Sequence, residues 1–239
     1  MKLNKTIIRI SSVLFILSSL FYILITSVFS QALDVDFYVK EYQKYDLQEY
    51  VGLDETDYRD GMYRLIGYCK GQSDSIQTSA TINGKYSETL FNQREVDHMV
   101  DVKALAQGVD TLQNVSFIIM IVSALFLLFG KDKFYFKTYW QASKVTYLMI
   151  IGLFIGLIIM VLVDFNSFWT TFHHVFFPNN DLWLLNPSTD IMIRMLPGEI
   201  FNDLVLNIAY LFFIPFCLVS ALMYQLIKKK ANYIKVNRN

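Results

Sequence analysis

Long apolar runs alternate with polar interludes along the chain, and the runs exceed what a soluble core needs. Four of them, residues 7–29, 112–129, 145–163 and 204–227, each approach the roughly twenty residues a helix requires to cross the hydrocarbon core. The predicted fold class is therefore a mainly α membrane protein, with four transmembrane helices and an extracellular α+β domain containing a β-hairpin. The chain divides into 1–30 (N-terminus and first span), 31–111 (the extracellular domain) and 112–130 (second span). A basic cytoplasmic loop (131–144), the third span (145–163), a His/Trp/Pro-rich extracellular loop (164–203), the fourth span (204–227) and a cytoplasmic tail (228–239) follow.

Inside the first polar region the periodicity changes twice. Asp54 reads as a helix N-cap with acids behind it, and Tyr58, Met62, Leu65, Ile66 and Cys69 recur at helical spacing until Gly71. Thr78, Ala80 and Ile82 then alternate with polar residues. Asn83-Gly84 suits a type I′ turn and residues 85–91 return, which predicts a hairpin. Asn92 and Glu95 have capping-box spacing, and the helix they open is expected to run through His98 into the second span. Glu95, His98 and Asp101, three apart, share one face, so either carboxylate could accept an imidazole N–H.

Charge orients this pattern. Lys and Arg number 21, as do Asp and Glu, but the balance is uneven along the chain. The N-terminus, residues 131–144 and the tail hold 3, 4 and 5 basic residues, 12 in all, against one acid, Asp132. The positive-inside rule then puts both termini in the cytoplasm. Ser30-Gln31-Ala32 resembles a signal-peptide cleavage site, yet the preceding apolar run is long for one, so the first span is expected to be retained. Cys69 and Cys217 fall in different compartments of this topology, which disfavours a disulfide.

Candidate chemistry concentrates in residues 172–203, which hold two of the three histidines and three of the four prolines. The chain lacks GxSxG, HExxH and P-loop motifs, and no Cys/His cluster has zinc spacing. His173 and His174 are adjacent and point in different directions on regular backbone. A lone external histidine is most often a solvated surface group. Here, however, His98 and His173 each lie just beyond a span, at the depth of a lipid ester, and two histidines suit proton transfer in both directions. Arg194 could hold a phosphate, a carboxylate or an ester carbonyl; its plain structural reading is an ion pair with Asp190 or Glu199. Trp169 and Trp183 read as interfacial anchors.

The segment F-H-H-V-F-F-P-N-N-D-x-W-x-x-N-P-S-T-D-x-M-I-R-M-L-P-G-E-I-F-N-D closely resembles the signature of a bacterial four-span family. That family contains the lipoprotein intramolecular transacylase (Lit) of Gram-positive bacteria, and His98-Met99-x-Asp101-Val102 resembles its second motif. The resemblance implies transfer of the sn-2 acyl chain of a diacylglyceryl-cysteine lipoprotein to the α-amino group of the same cysteine. It implies His98 and His173 as the catalytic pair, with His174 ranked third; Asp101, Glu95, Arg194, Trp183 and Asp190 are the supporting candidates read from the residues themselves. Asp101 would orient His98, and Arg194 or an amide N–H would polarise the carbonyl. Gly198 before Glu199 departs from the family pattern, which weakens a role for Glu199. The partners implied are diacylated bacterial lipoproteins within membrane lipid, with no cofactor, no metal and no nucleic acid, and the protein is expected to be a monomer. Competing readings are a lipid-ester hydrolase built on the same histidines, and a non-catalytic receptor, immunity or accessory protein.

Overall fold

Serines punctuate the first apolar run, and the helix itself absorbs them. Ser12, Ser18 and Ser19 each donate to the carbonyl one turn back at 2.6 Å, so three hydroxyls are buried without partners from other segments. The computed structural model describes residues 4–129 and 135–236. Its order is α1 (Lys5–Ala32), α2 (Val35–Lys44), α3 (Gln48–Val51), α4 (Glu55–Cys69), β1 (Ala80–Ile82), β2 (Lys85–Ser87), α5 (Gln93–Phe129), α6 (Tyr135–Val163), α7 (Phe165–Phe176), α8 (Ile191–Met195) and α9 (Gly198–Val236). Among the described residues, α1, α5, α6 and α9 are long and apolar enough to cross a membrane.

Two units pack separately. One contains the chain up to Thr26, Thr111–Phe168 and everything from Tyr210. Its core joins Ile8, Phe15 and Ile16 of α1 to Leu127, Tyr135, Tyr139, Phe212 and Ile227. The abundant exposed Leu, Ile, Val and Phe on its helices are what a lipid solvent tolerates and water does not.

The second unit comprises Ser27–Asp110 and Trp169–Ala209. Here the predicted cap and periodicity of α4 are realised: the Asp54 carboxylate accepts from Asp57 N–H at 2.8 Å, and Tyr58, Met62, Leu65 and Ile66 are buried. Two tyrosines set the packing. Tyr42 and Tyr58 stack at 4.4 Å, Tyr42 donates to the Leu53 carbonyl at 2.7 Å, and Tyr58 donates to the Met195 carbonyl at 2.9 Å. The hairpin forms with Ala80 opposite Ser87, and Asn83 and Gly84 both take positive φ, as a type I′ turn demands. Its return strand ends at Ser87, short of residue 91. Beyond it the Gln77 side chain replaces the ladder, donating to the Phe91 carbonyl at 2.6 Å and accepting from its N–H at 3.2 Å. Cys69 and Cys217 are both free.

The start of α5 is a complete capping box. Glu95 N–H donates to Asn92 Oδ1 at 3.1 Å, and Asn92 N–H donates to Glu95 Oε2 at 2.8 Å. The other Glu95 oxygen accepts the Met192 N–H of α8 at 2.6 Å, and Asn92 Nδ2 donates to Asp190 at 2.8 Å. Helix α5 then continues without a break from its charged first turns into the second apolar run.

Several boundaries move. The basic loop expected at 131–144 is helical from Tyr135, because Tyr135 and Tyr139 lie one turn apart and both are buried in the core of the spans; Lys131 and Lys133 lie outside the described residues. The loop expected at 164–203 contains α7 and α8. The helix that carries the fourth apolar run, with its cap expected at Asn202 or Asp203, begins at Gly198 after Pro197 and runs on to Val236. Asp203 is thereby inside the helix, where its carboxylate meets Lys44 and accepts from Tyr45 Oη at 2.7 Å.

Three substitutions check these contacts. Gly52 has φ +80°, and a Cβ there would sit 2.4 Å from Asn83 Oδ1. Gly52→Ala should destabilise the protein by about 1–3 kcal/mol, read as a lower thermal midpoint in detergent. Glu95→Ala removes a cap and strands the Met192 N–H, so it should cost about 2–4 kcal/mol by the same measurement. Glu95→Gln, which keeps one acceptor, should cost less.

Candidate functional site

Helix α7 sorts its adjacent histidines by geometry alone: successive residues point about 100° apart, so His173 is buried and His174 exposed. His173 Nδ1 lies 2.8 Å from the Trp169 carbonyl one turn back. A carbonyl only accepts, so the proton resides on Nδ1 and the lone pair on Nε2. Around the ring stand Trp169 at 4.6 Å edge-on, Trp183 at 4.6 Å stacked, and Phe177 at 5.9 Å.

His98 approaches from α5. Its ring centroid is 6.5 Å from that of His173 and 5.5 Å from Phe177, whose ring borders both imidazoles. The exposures are 8% for His98 and 6% for His173, so both rings are withdrawn from water. Two ties flank His98 on its helix. Arg94, one turn earlier, donates through Nη2 to the carbonyl of Asp181 and lies 3.2 Å from its carboxylate. Asp101, three residues later, accepts from Asn180 Nδ2 at 2.8 Å. Together they hold the 180–183 turn against α5 and so fix the height of Trp183 over His173.

Electrostatics follow the burial. The His98 imidazole is pushed down to about 4, first by loss of water and then by His173; Asp101 opposes the shift and Arg94 adds to it. His173 is lowered too, chiefly by burial, with its bond to the Trp169 carbonyl opposing and His174 reinforcing the change. Both are neutral near pH 7. Four buried nitrogens in this unit have no hydrogen-bond partner: His98 Nδ1, Arg94 Nε, Trp183 Nε1 and Arg194 Nε.

The other residues singled out in the sequence fall as follows. Glu95 is occupied by backbone N–H groups and does not reach His98. Asp101 bonds to Asn180 rather than to the imidazole, although its charge is felt there. His174 is exposed and meets Trp183 edge-on at 5.3 Å. Asp190 is buried in a bracket of Asn186 N–H, Thr189 and Asn92 at 2.6–2.8 Å, which outweighs burial and lowers its carboxyl. Arg194 forms neither of the ion pairs expected with Asp190 or Glu199 among the described residues, and no ring or polar contact ties it to the histidines. Arg94, Asn180 and Phe177 were not anticipated. For Arg94 the signal existed: it precedes His98 by four residues on a helix already predicted.

The profile of the family described as lipoprotein intramolecular transacylase Lit matches residues 13–201. A comparison with curated protein sequences gives no match. Among solved structures the chain is similar to the in meso structure of the membrane integral lipoprotein intramolecular transacylase Lit from Bacillus cereus. The TM-score is 0.74 at 19% identity, covering 95% of this chain and 99% of that one. It is also similar to two variants of the Bacillus cereus protein. In one a histidine is replaced by arginine (TM-score 0.71, 19% identity, 93% of each chain); in the other by alanine (0.71, 20%, 93% of this chain and 94% of that one). These identities establish a common fold. The family match extends over most of the sequence and carries more weight: this multi-pass membrane protein belongs to the Lit family of lipoprotein intramolecular transacylases.

Proposed function

We propose that the chain moves the sn-2 acyl group of a diacylglyceryl-cysteine lipoprotein onto the α-amino group of that cysteine, using His98 and His173 for proton transfer. The observation that carries this reading is the buried imidazole pair, 6.5 Å apart, within a shared aromatic enclosure. One ester group could touch both rings. Direct attack closes a ring of about eight atoms, so holding amine and ester together is where most of the acceleration can arise.

The protons balance as follows. The substrate enters as an α-ammonium, and the amide product keeps one of its three protons. One of the other two ends on the departing sn-2 oxygen and one is released to solvent. His173, with its Nε2 lone pair fixed by the Trp169 bond, takes the proton of the attacking nitrogen. His98 relays an ammonium proton to the sn-2 oxygen as the C–O bond breaks; its lowered basicity makes the transient imidazolium a strong donor. No enzyme nucleophile and no cofactor are required.

The membrane placement is part of the same reading. Helix α5 has 37 residues, about 55 Å at 1.5 Å per residue, far more than the ~30 Å hydrocarbon core. On this reading its charged first turns, with His98, extend beyond the core on the extracellular side. The lysine and arginine distribution puts both termini in the cytoplasm and the histidines on the extracellular face. The protein works as a monomer on diacylated lipoproteins.

His98→Ala and His173→Ala should each lower lyso-form lipoprotein production by at least ~100-fold while leaving the thermal midpoint near wild type. Mass spectrometry of the lipopeptide product gives the readout; free fatty acid in place of N-acyl product would assign a hydrolase instead. Acid stability provides a second check. The folded His98 takes up its proton only as the pH falls to about 4 and below, whereas the unfolded residue does so below ~6.5. Between these values the unfolded state binds more protons, so stability should fall as pH drops from about 6.5 towards 4. His98→Gln, which cannot titrate, should flatten part of that decline in thermal midpoint.

A further inference from the structure

Of the four unpartnered nitrogens, two lie on the segments that form the histidine enclosure and are left idle by the proton transfers above. Trp183 Nε1 and Arg94 Nε are both buried without an acceptor. Buried donors in folded proteins nearly always have partners, and each exception needs an explanation, a catalytic role among them. An indole N–H and a guanidinium N–H donate and never accept. The missing partner is therefore an acceptor oxygen, not the ammonium of the substrate.

Placement narrows the choice. The Trp183 ring stacks on His173 at 4.6 Å with an interplanar angle of 22°. Arg94 sits one turn before His98 and is held by its Nη2 bond to the Asp181 carbonyl, two residues before Trp183. The Asp101–Asn180 bond pins the same turn from the other side of His98. Both donors are thus fixed before substrate arrives, as transition-state stabilisation requires. Arg194, the cation that the sequence suggested, has no comparable link to the histidines.

We propose that Trp183 Nε1–H and Arg94 Nε–H bind the oxygen of the sn-2 acyl carbonyl and stabilise the negative charge that develops there. The proposal rests on the acyl-transfer reading. As the amine lone pair forms the C–N bond, the carbonyl π pair moves onto oxygen. It returns when the bond to the sn-2 oxygen breaks, so the two donors act most strongly between those events.

The test uses full-length protein with a synthetic diacylated lipopeptide and its analogue carrying sulfur in place of the sn-2 carbonyl oxygen. Trp183→Phe keeps the stacked ring and removes the N–H. It should lower kcat by about 100-fold with little change in KM, and the preference for oxygen over sulfur should shrink. Loss of packing alone would leave that preference intact. A wild-type rate and oxygen/sulfur preference in Trp183→Phe would overturn the proposal while leaving the histidine mechanism standing. Substantial activity in a folded His98→Ala control would bring down the acid–base reading itself. If Trp183→Phe does not fold, Arg94→Lys decides by the same ratio: it keeps the charge but lacks the guanidinium Nε–H, and an unchanged preference overturns the proposal.

Discussion

The carboxylate of Glu95 closes the first turn of α5 onto Asn92 with one oxygen and takes the Met192 N–H of α8 with the other. A helix start and a segment almost a hundred residues later are thereby joined through one buried group. Asn92 adds a second link by donating to Asp190, itself bracketed by Asn186 and Thr189. The consequence is positional. Once the N-terminus of α5 is fixed, the rotation of that helix is fixed, and with it the directions in which Arg94, His98 and Asp101 point. A slip of one residue would turn His98 about 100° away from His173.

What stands opposite is held just as rigidly, though by different forces. His173 is oriented by a single backbone bond and by the aromatic rings of Trp169, Phe172, Phe177 and Trp183, while Trp183 is set by the turn that Arg94 and Asp101 tie to α5. The enclosure is made of indole and phenyl faces, which exclude water without offering competing acceptors. Inside it desolvation outweighs the attraction of Asp101, so His98 is depressed despite a carboxylate one turn away. A dry, neutral pair can take up and release protons without first shedding a hydration shell.

The residues around the histidines thus divide into parts with distinct physical tasks. His98 and His173 form the buried imidazole pair, and Trp169 and Phe177 supply walls. Asn92, Glu95 and Asp190 lock the helix junction. The carboxylates that look like imidazole partners in the sequence serve as structural acceptors, because backbone N–H groups and amide side chains at the junction need them more than a neutral histidine does.

Spans, caps and the hairpin turn were legible because each is a local decision. Hydropathy over twenty residues, Asp54 before an acidic turn, Asn83-Gly84 between alternating strands and Asn92 three residues before Glu95 all act within a few bonds. The histidines could be singled out as well, since few residues in so apolar a chain titrate near neutrality. Which groups meet them was not legible. The i,i+3 spacing that put Glu95 and Asp101 on the face of His98 was correct, but segments distant in sequence claimed both carboxylates, Met192 for one and Asn180 for the other. Helix ends at Tyr135 and Gly198 likewise moved because packed aromatics and a preceding proline extended them beyond their apolar runs. Local pattern determined the elements and the chemistry available; only tertiary packing decided that Trp183 lies on His173 and that Arg94 is tied to Asp181, since hydrogen-bond competition between distant segments leaves no trace in spacing.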